Sequence, residues 1–251
     1  NRTLVKHGLV QLQNTKRPGL KALLKSLGLW GRPLTSSDAA IRFAPKLNAL
    51  SRMEMGVMPL DLYIVETDQE AENLVGTVMK NNEKRIDLQA SAEKEARAWV
   101  EANPQEGFIW VKSKNFHKGV VGLVATKLSQ DYNKPAFIGA ETPEGKIVGS
   151  SRLPDSSFPS LLDAMESAKS ALVQFGGHAP AAGFETTAEN FEAFERGLTE
   201  FYKNAAKVSK KIEHYDVEGQ MNVIDVPFMK WYDTLGPFGS NFEAPVFRFN
   251  N

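Results

Sequence analysis

The chain contains no cysteine among its 251 residues. This absence excludes disulfide bonds, thiolate metal sites and a cysteine nucleophile, and it fits a reducing compartment. The 30 basic and 30 acidic residues cancel, so any nucleic-acid site must be a local basic patch rather than a global positive field. No apolar run reaches the ~18 residues that span a bilayer. We therefore expect a cytoplasmic globular protein without membrane contact.

Histidine is also scarce, and the four present lie far apart at positions 7, 117, 178 and 214. The chain lacks the H-x-H, H-E-x-x-H and D-x-D patterns. Hydrolysis of phosphodiesters by two metal ions needs several carboxylates and imidazoles gathered around the cations. The sequence therefore predicts no metal ligands in this chain.

The fold class predicted from periodicity is α/β. Helical spacing dominates the first hundred residues and includes a long polar helix at about 68–101. Strands and helices alternate from Gly107 onward, which indicates a mixed-sheet α/β sandwich. The strands are expected at 108–111, 135–138, 146–150 and 181–185, and the helices at 119–128, 160–175 and 189–202. A basic stretch at 205–211 is a predicted hinge.

The run FGGHAPAAG at residues 175–183 is the most informative local pattern. Adjacent glycines suit a turn with positive φ or the close approach of a ligand to the main chain. A turn of bare amides beside an imidazole can donate several hydrogen bonds to a phosphate. An ordinary tight turn before a strand is the alternative interpretation.

This run resembles the Gly-Gly-His hallmark of the DHH-associated domain, which follows the DHH phosphoesterase domain in RecJ-type exonucleases. Further segments resemble RecJ motifs in the family's order. They are RPGLKALL at 17–24, FAPKLNALSR at 43–52, FHKGVVGLVA at 116–125, GSSR at 149–152, LGPFG at 235–239 and EAPVF at 243–247. Departures include Lys46 in place of an arginine and Leu153 in place of a polar residue.

The resemblance implies three parts. Residues 1–104 would be a helical connector from an absent catalytic DHH domain, and residues 105–208 the DHH-associated α/β domain. Residues 209–251 would begin a truncated oligonucleotide-binding segment. We accordingly interpret the chain, which starts at Asn1, as the C-terminal portion of a longer enzyme.

The function implied by the resemblance is that of a 5′→3′ exonuclease for single-stranded DNA in repair and recombination. The complete enzyme would use manganese or magnesium, whereas this portion would bind single strands weakly and cut nothing. We expect a monomer, with a single-strand-binding protein or a helicase as candidate partners. The alternatives are a DHH-type phosphodiesterase of short oligonucleotides or cyclic dinucleotides, and a non-catalytic nucleic-acid-binding module.

Candidate site residues follow from the matched motifs. Ser150 and Arg152 stand two apart just past a strand, so their side chains can point the same way. In the family's pattern this pair holds the 5′ end, and His178 donates a hydrogen bond to the scissile phosphate. The other candidate substrate-binding residues are Gly176, Gly177, Asn48, Arg52 and His117.

Overall fold

The computed structural model describes residues 1–53, 57–155, 157–204, 215–220, 224–239 and 241–249. The chain divides into two compact units, one of residues 1–82 and 212–251 and the other of residues 83–211. The predicted hinge at 205–211 lies outside the described residues. The three-part division at 104 and 208 stays a prediction.

The first unit is helical through most of its described length. Its helices are α1 (Arg2–Gln13), α2 (Pro18–Ser26), α3 (Ala44–Met53), the single turn α4 (Asp61–Ile64) and the start of α5 (Asp68–Ala102), with α9 (Val226–Leu235) near the end of the chain. The short strands β6 (Val217–Gly219) and β7 (Phe247–Phe249) pair in parallel. A leucine-rich core joins α2, α3, α4 and α5, and it includes Leu23, Leu24, Leu50, Leu62 and Val78.

The segment before α3 shows how one proline shapes the local backbone. Pro45 has no N–H to donate to a carbonyl one turn earlier. The chain accommodates this with a π-helical stretch at Asp38–Phe43, after which α3 begins at Ala44.

Asp38 anchors the start of that stretch. Its carboxylate accepts hydrogen bonds from Arg32 at 2.6 Å and from the Thr35 backbone N–H at 3.0 Å. In return, the Thr35 hydroxyl accepts a bond from the Asp38 N–H at 3.1 Å, which completes a reciprocal cap. The hydrogen bond from Arg32, with further bonds from Thr35, outweighs burial and lowers the pKa of Asp38 to about 2.

We expect this cap to make stability depend on acid pH. Because the folded pKa is depressed, the contribution is present above the unfolded value of about 3.9 and is lost as pH falls through about 2. Between pH 5 and pH 2, the native chain should lose about 2 kcal/mol more stability than Asp38→Asn. Urea unfolding across this range measures the difference, with exposed Asp68→Asn as control. Parallel curves for the native chain and Asp38→Asn would contradict the assignment.

The second unit is a mixed five-stranded sheet between helices. The strands are β1 (Ile109–Ser113), β2 (Ala136–Glu141), β3 (Lys146–Arg152), β4 (Gln174–His178) and β5 (Ala181–Thr187), in the spatial order β1-β2-β3-β5-β4. The β1 and β2 strands are parallel, and the remaining pairs are antiparallel. The predicted α/β fold class is confirmed.

Alternating side chains divide this unit into two cores. Ile109, Val111 and Ile138 face α6 (Val121–Tyr132) and the second half of α5. Trp110 and Phe137 face the opposite way, toward α7 (Leu161–Ser167) and α8 (Phe191–Asn204). The period-two pattern of a strand buried on both faces therefore builds a helix–sheet–helix arrangement.

The outer edge of β1 is covered by a side chain. Gln105 accepts a hydrogen bond from the Trp110 N–H at 2.7 Å and donates one to the Trp110 carbonyl at 3.2 Å. Its amide thus pairs with one residue of β1 as a neighbouring strand would.

The long helix predicted at about 68–101 spans Asp68–Ala102. It carries charged residues along most of its length, and none of the described helices combines the length and apolar character that a bilayer crossing requires.

One expectation is wrong in its boundary. The helix predicted at 160–175 ends at Ser167 and is followed by a 3-10 turn at Lys169–Ala171. The chain then enters β4 at Gln174, so the glycine run is an edge strand rather than a turn. Phe175 packs against the core beneath the sheet, and pairing with β5 supplies the backbone partners that favour the extended form.

Candidate functional site

Ser150 and Arg152 lie at the end of β3 and project from the same face of the sheet, as their spacing predicts. The Arg152 Nη1 donates to Ser150 Oγ at 2.8 Å and to the Ser151 carbonyl at 2.7 Å. Both side chains are partly exposed. The guanidinium is therefore held against the strand while remaining within reach of a ligand.

The strand register places His178 on the same face as Arg152. Arg152 lies opposite Ala181 of β5, and Ala181 lies opposite His178 of β4. Residues directly opposite in antiparallel strands project to the same side. With strands ~4.8 Å apart, the Cα atoms of Arg152 and His178 are roughly 10 Å apart. The small side chain of Ala181 separates two exposed or half-exposed polar groups.

A second row beside this one carries almost no side chains. Ser150 lies opposite Gly183, which lies opposite Gly176. A Cβ at Gly176 would meet nothing within 4 Å, and one at Gly183 would meet only a carbonyl at 3.7 Å. We call these two glycines the bare shelf. They leave open backbone between β3 and the sheet edge.

Gly177 differs from its neighbour Gly176. Its φ is +142°, and a Cβ there would lie 2.5 Å from the Ala181 carbonyl oxygen and 2.7 Å from the Ala182 Cα. An L side chain rarely adopts this conformation. Gly177 therefore serves the β4–β5 pairing, whereas Gly176 leaves space above it.

A cavity of about 390 Å³ extends over the bare shelf toward the other end of the strands. Glu185 and Gln174 line that end. Lys146 donates to Glu185 at 2.7 Å and Gln174 donates to it at 2.9 Å. The hydrogen bond from Lys146, followed by that from Gln174, lowers the pKa of Glu185. The residues that line the cavity include Glu185, paired with Lys146, but not Arg152, which lies toward the opposite end of β3.

Helix α6 borders the site on its other side. It packs on β2 and β3, and its second residue, Gly122, lies beside the Arg152 guanidinium. His117 stands in the turn just before α6, where its Nδ1 accepts a hydrogen bond from the Gly119 N–H at 3.0 Å. In the neutral imidazole, this bond places the proton on Nε2. His117 thus orders the entry of the chain into α6.

Asn48 and Arg52 lie in the other compact unit, one turn apart on α3. This spacing places both side chains on one helix face. Of the predicted site residues, the structure places Ser150, Arg152, Gly176 and His178 together on one face of the sheet in the second unit.

The described residues do not fit a metal centre. Among them, no three or more histidine, aspartate or glutamate side chains are grouped closely enough to hold an ion. The donors that the site does present are a guanidinium, a hydroxyl, an imidazole and backbone amides. Such groups bind anions, and phosphate in particular.

Sequence reasoning missed three contributors to this site. Gly122 and Gly183 lie inside the matched segments 116–125 and 175–183, but the sequence did not mark either as a site residue. Gly122 matters because Arg152 and Ser150 pack beside it, and Gly183 because almost nothing does. Glu185 follows the matched motif by two residues, but its partner Lys146 lies 39 positions earlier. Only the alternation of β5, which places Ala181, Gly183 and Glu185 on one face, could have suggested the last two.

Comparison with known proteins relates this geometry to a family. Residues 105–204 match the model described as the DHHA1 domain. The single-stranded-DNA-specific exonuclease RecJ of Bacillus subtilis is 30% identical over 246 residues, which cover 95% of this chain and 31% of that protein. RecJ of Thermus thermophilus is 28% identical over 247 residues, covering 98% of this chain and 35% of that protein.

Solved structures agree. The crystal structure of Thermus thermophilus RecJ in complex with Mg²⁺ superposes with a TM-score of 0.84 at 27% identity, covering 97% of this chain and 38% of that one. An exonuclease RecJ bound to manganese gives a TM-score of 0.67 at 29% identity, with 80% and 49% covered. This chain spans about a third of the length of the curated relatives named above.

Proposed function

We propose that this chain is the strand-binding portion of a single-stranded-DNA exonuclease, because residues 105–204 match the DHHA1 domain model and the chain matches RecJ along nearly its whole length. Its role would be to hold the 5′ end and the adjacent phosphate for hydrolysis of the phosphodiester. The proposal extends to this chain the activity that the relatives' names state.

The placement of Ser150, Arg152 and His178 on one sheet face beside the bare shelf carries this proposal. The guanidinium presents a planar fork that matches two phosphate oxygens, and Ser150 adds a short donor. A nucleotide attached to that phosphate can lie over Gly176 and Gly183, where no side chain blocks it.

His178 has a separate proposed role. The Cα atoms of Arg152 and His178 lie roughly 10 Å apart across two strands. In this proposal Arg152 holds the 5′ phosphate and His178 contacts the next phosphate along the strand. His178 would then donate a hydrogen bond to the scissile phosphate as negative charge develops.

Divalent metal chemistry does not enter the steps assigned to these residues. The relatives' crystal structures hold Mg²⁺ or Mn²⁺. The described residues of this chain do not supply a ligand set for such ions. We propose that the complete enzyme uses one of these cations and that this chain contributes substrate positioning.

The two alternative functions have less support. A phosphodiesterase of short oligonucleotides or cyclic dinucleotides, and a non-catalytic binding module, both account for a Gly-Gly-His segment. Neither accounts for a RecJ match that covers 95–98% of the chain, including both compact units. The cytoplasmic location, the monomeric state and the partner proteins stay predictions.

We expect the purified chain to bind a 5′-phosphorylated single strand more tightly than the same strand with a 5′-hydroxyl. Titrations at several salt concentrations measure this preference, and affinity should fall steeply with salt because phosphate contacts dominate. Electrophoresis of the same samples with Mn²⁺ or Mg²⁺ should show intact DNA. Equal affinity for the two ends would contradict the proposed binding of the 5′ end. Metal-dependent cleavage would contradict the proposal that this chain contributes only substrate positioning.

A further inference from the structure

We propose that Gly122 is a positioning residue for Arg152: the missing side chain on α6 leaves the space in which the guanidinium and the Ser150 hydroxyl are held. This inference rests on the proposed function, because it assigns Gly122 the task of orienting the phosphate-binding pair. Neither the family match nor the sequence motifs assign a role to this residue.

The first step is the crowding at one point. A Cβ on Gly122 would lie 3.1 Å from Arg152 Nη2, 3.2 Å from Ser150 Oγ and 3.6 Å from Ser150 Cβ. These are its three nearest neighbours outside its own helix, and all belong to the two candidate phosphate ligands. The first two distances are shorter than ordinary van der Waals contact, so an alanine here would push on both side chains.

The second step is that no other neighbour of Gly122 requires a glycine at this position. Gly122 has ordinary helical backbone, and no backbone atom of another element is among its three nearest neighbours. Glycine within a helix is less favourable than alanine. Gly76, which lies in α5 with nothing within 4 Å of an added Cβ, shows a helical glycine without such neighbours. What distinguishes Gly122 is therefore the Arg152 and Ser150 side chains.

The third step concerns the orientation of the guanidinium. Its Nη1 is already fixed by Ser150 Oγ and the Ser151 carbonyl, and Nη2 lies toward Gly122. A cation at the first turn of a helix is disfavoured by the helix dipole. The close packing against Gly122 and the two hydrogen bonds hold the guanidinium beside the first turn of α6 nonetheless. The fork is thereby ordered before a phosphate arrives, which reduces the entropy lost on binding.

Gly122→Ala tests the inference, with Gly76→Ala as the matched control. We expect Gly76→Ala to keep or raise the melting temperature, since it gains helix propensity. In Gly122→Ala the crowding of Arg152 and Ser150 opposes the same gain. Only Gly122→Ala should weaken the preference for a 5′-phosphorylated strand, by about 3- to 10-fold. In an Arg152→Ala background, Gly122→Ala should cause no further loss, because the group on which it acts is gone.

A second measurement does not depend on binding. The Nε–Hε resonance of Arg152 should show slow, ordered side-chain dynamics in the native chain and faster motion in Gly122→Ala. If Arg152→Ala loses the 5′-phosphate preference and Gly122→Ala does not, the positioning role is wrong while the proposed function stands. If Arg152→Ala changes nothing, the phosphate assignment fails and the positioning role fails with it. Unchanged Arg152 dynamics in Gly122→Ala would also overturn the inference.

Discussion

Replacing Arg152 with alanine is expected to abolish the preference of the chain for a 5′-phosphorylated single strand. The affinity for that strand should fall roughly 10- to 100-fold, which corresponds to the loss of a bidentate, charge-assisted contact. The affinity for the 5′-hydroxyl strand should change much less. Fluorescence anisotropy with end-labelled oligonucleotides measures both.

The physical reason is the geometry of the group that is lost. The guanidinium is held at the end of β3 by Ser150 and the Ser151 carbonyl, so its direction is set by the protein. Lysine at this position keeps the charge but offers a single point donor without the planar fork. Arg152→Lys should therefore retain only part of the preference.

Arg196→Ala is the matched control. Arg196 is an exposed arginine on α8, which covers the opposite face of the sheet. Removing it changes the net charge by the same amount and alters the general attraction for DNA equally. A similar loss of preference in both variants would show that charge alone, rather than the site at the end of β3, determines binding.

Gly177→Ala is expected to destabilise the second unit by about 2–4 kcal/mol. The residue has a φ of +142°, and its Cβ would overlap the backbone of Ala181 and Ala182 in the neighbouring strand. Backbone atoms in a paired strand cannot move aside as a flexible side chain can. The hairpin of β4 and β5 must therefore distort or separate.

Gly176→Ala provides the comparison one residue away. A Cβ at Gly176 enters open space, so this variant should unfold within about 0.5 kcal/mol of the native chain. Thermal unfolding followed by circular dichroism, together with hydrogen exchange of the β4 and β5 amides, separates the two variants. Equal stability of the two variants would mean that the strain assigned to Gly177 is absent.

The comparison of sequence with structure shows where local patterns are sufficient. The 35-residue helix α5 has few breakers, and its ends fall close to the predicted positions. The spacing of Ser150 and Arg152 predicted a common direction, because side chains two apart in a strand share a face. Both inferences depend on neighbours within a few residues.

Other features depend on distant residues and could not be predicted in this way. Two glycines favour a turn locally, and β4 becomes a strand because β5 pairs with it and the core receives Phe175. The position of His178 beside Arg152 is a matter of register across three strands. The space at Gly122 that holds the Arg152 guanidinium exists only where α6 approaches β3.

The two edge strands of the sheet differ in whether a side-chain amide occupies their outward backbone hydrogen-bonding groups, and at β1 the amide of Gln105 does so. At β1, Gln105 occupies the hydrogen-bonding groups of Trp110, which a strand from another molecule would otherwise use. Exposed strand borders are where folded proteins polymerise into larger sheets. At the opposite border stands β4, which has one strand neighbour among the described strands. Addition of a strand from another chain is thus disfavoured at the Gln105 border, whereas the β4 border has no comparable side-chain amide among the hydrogen bonds of the described residues.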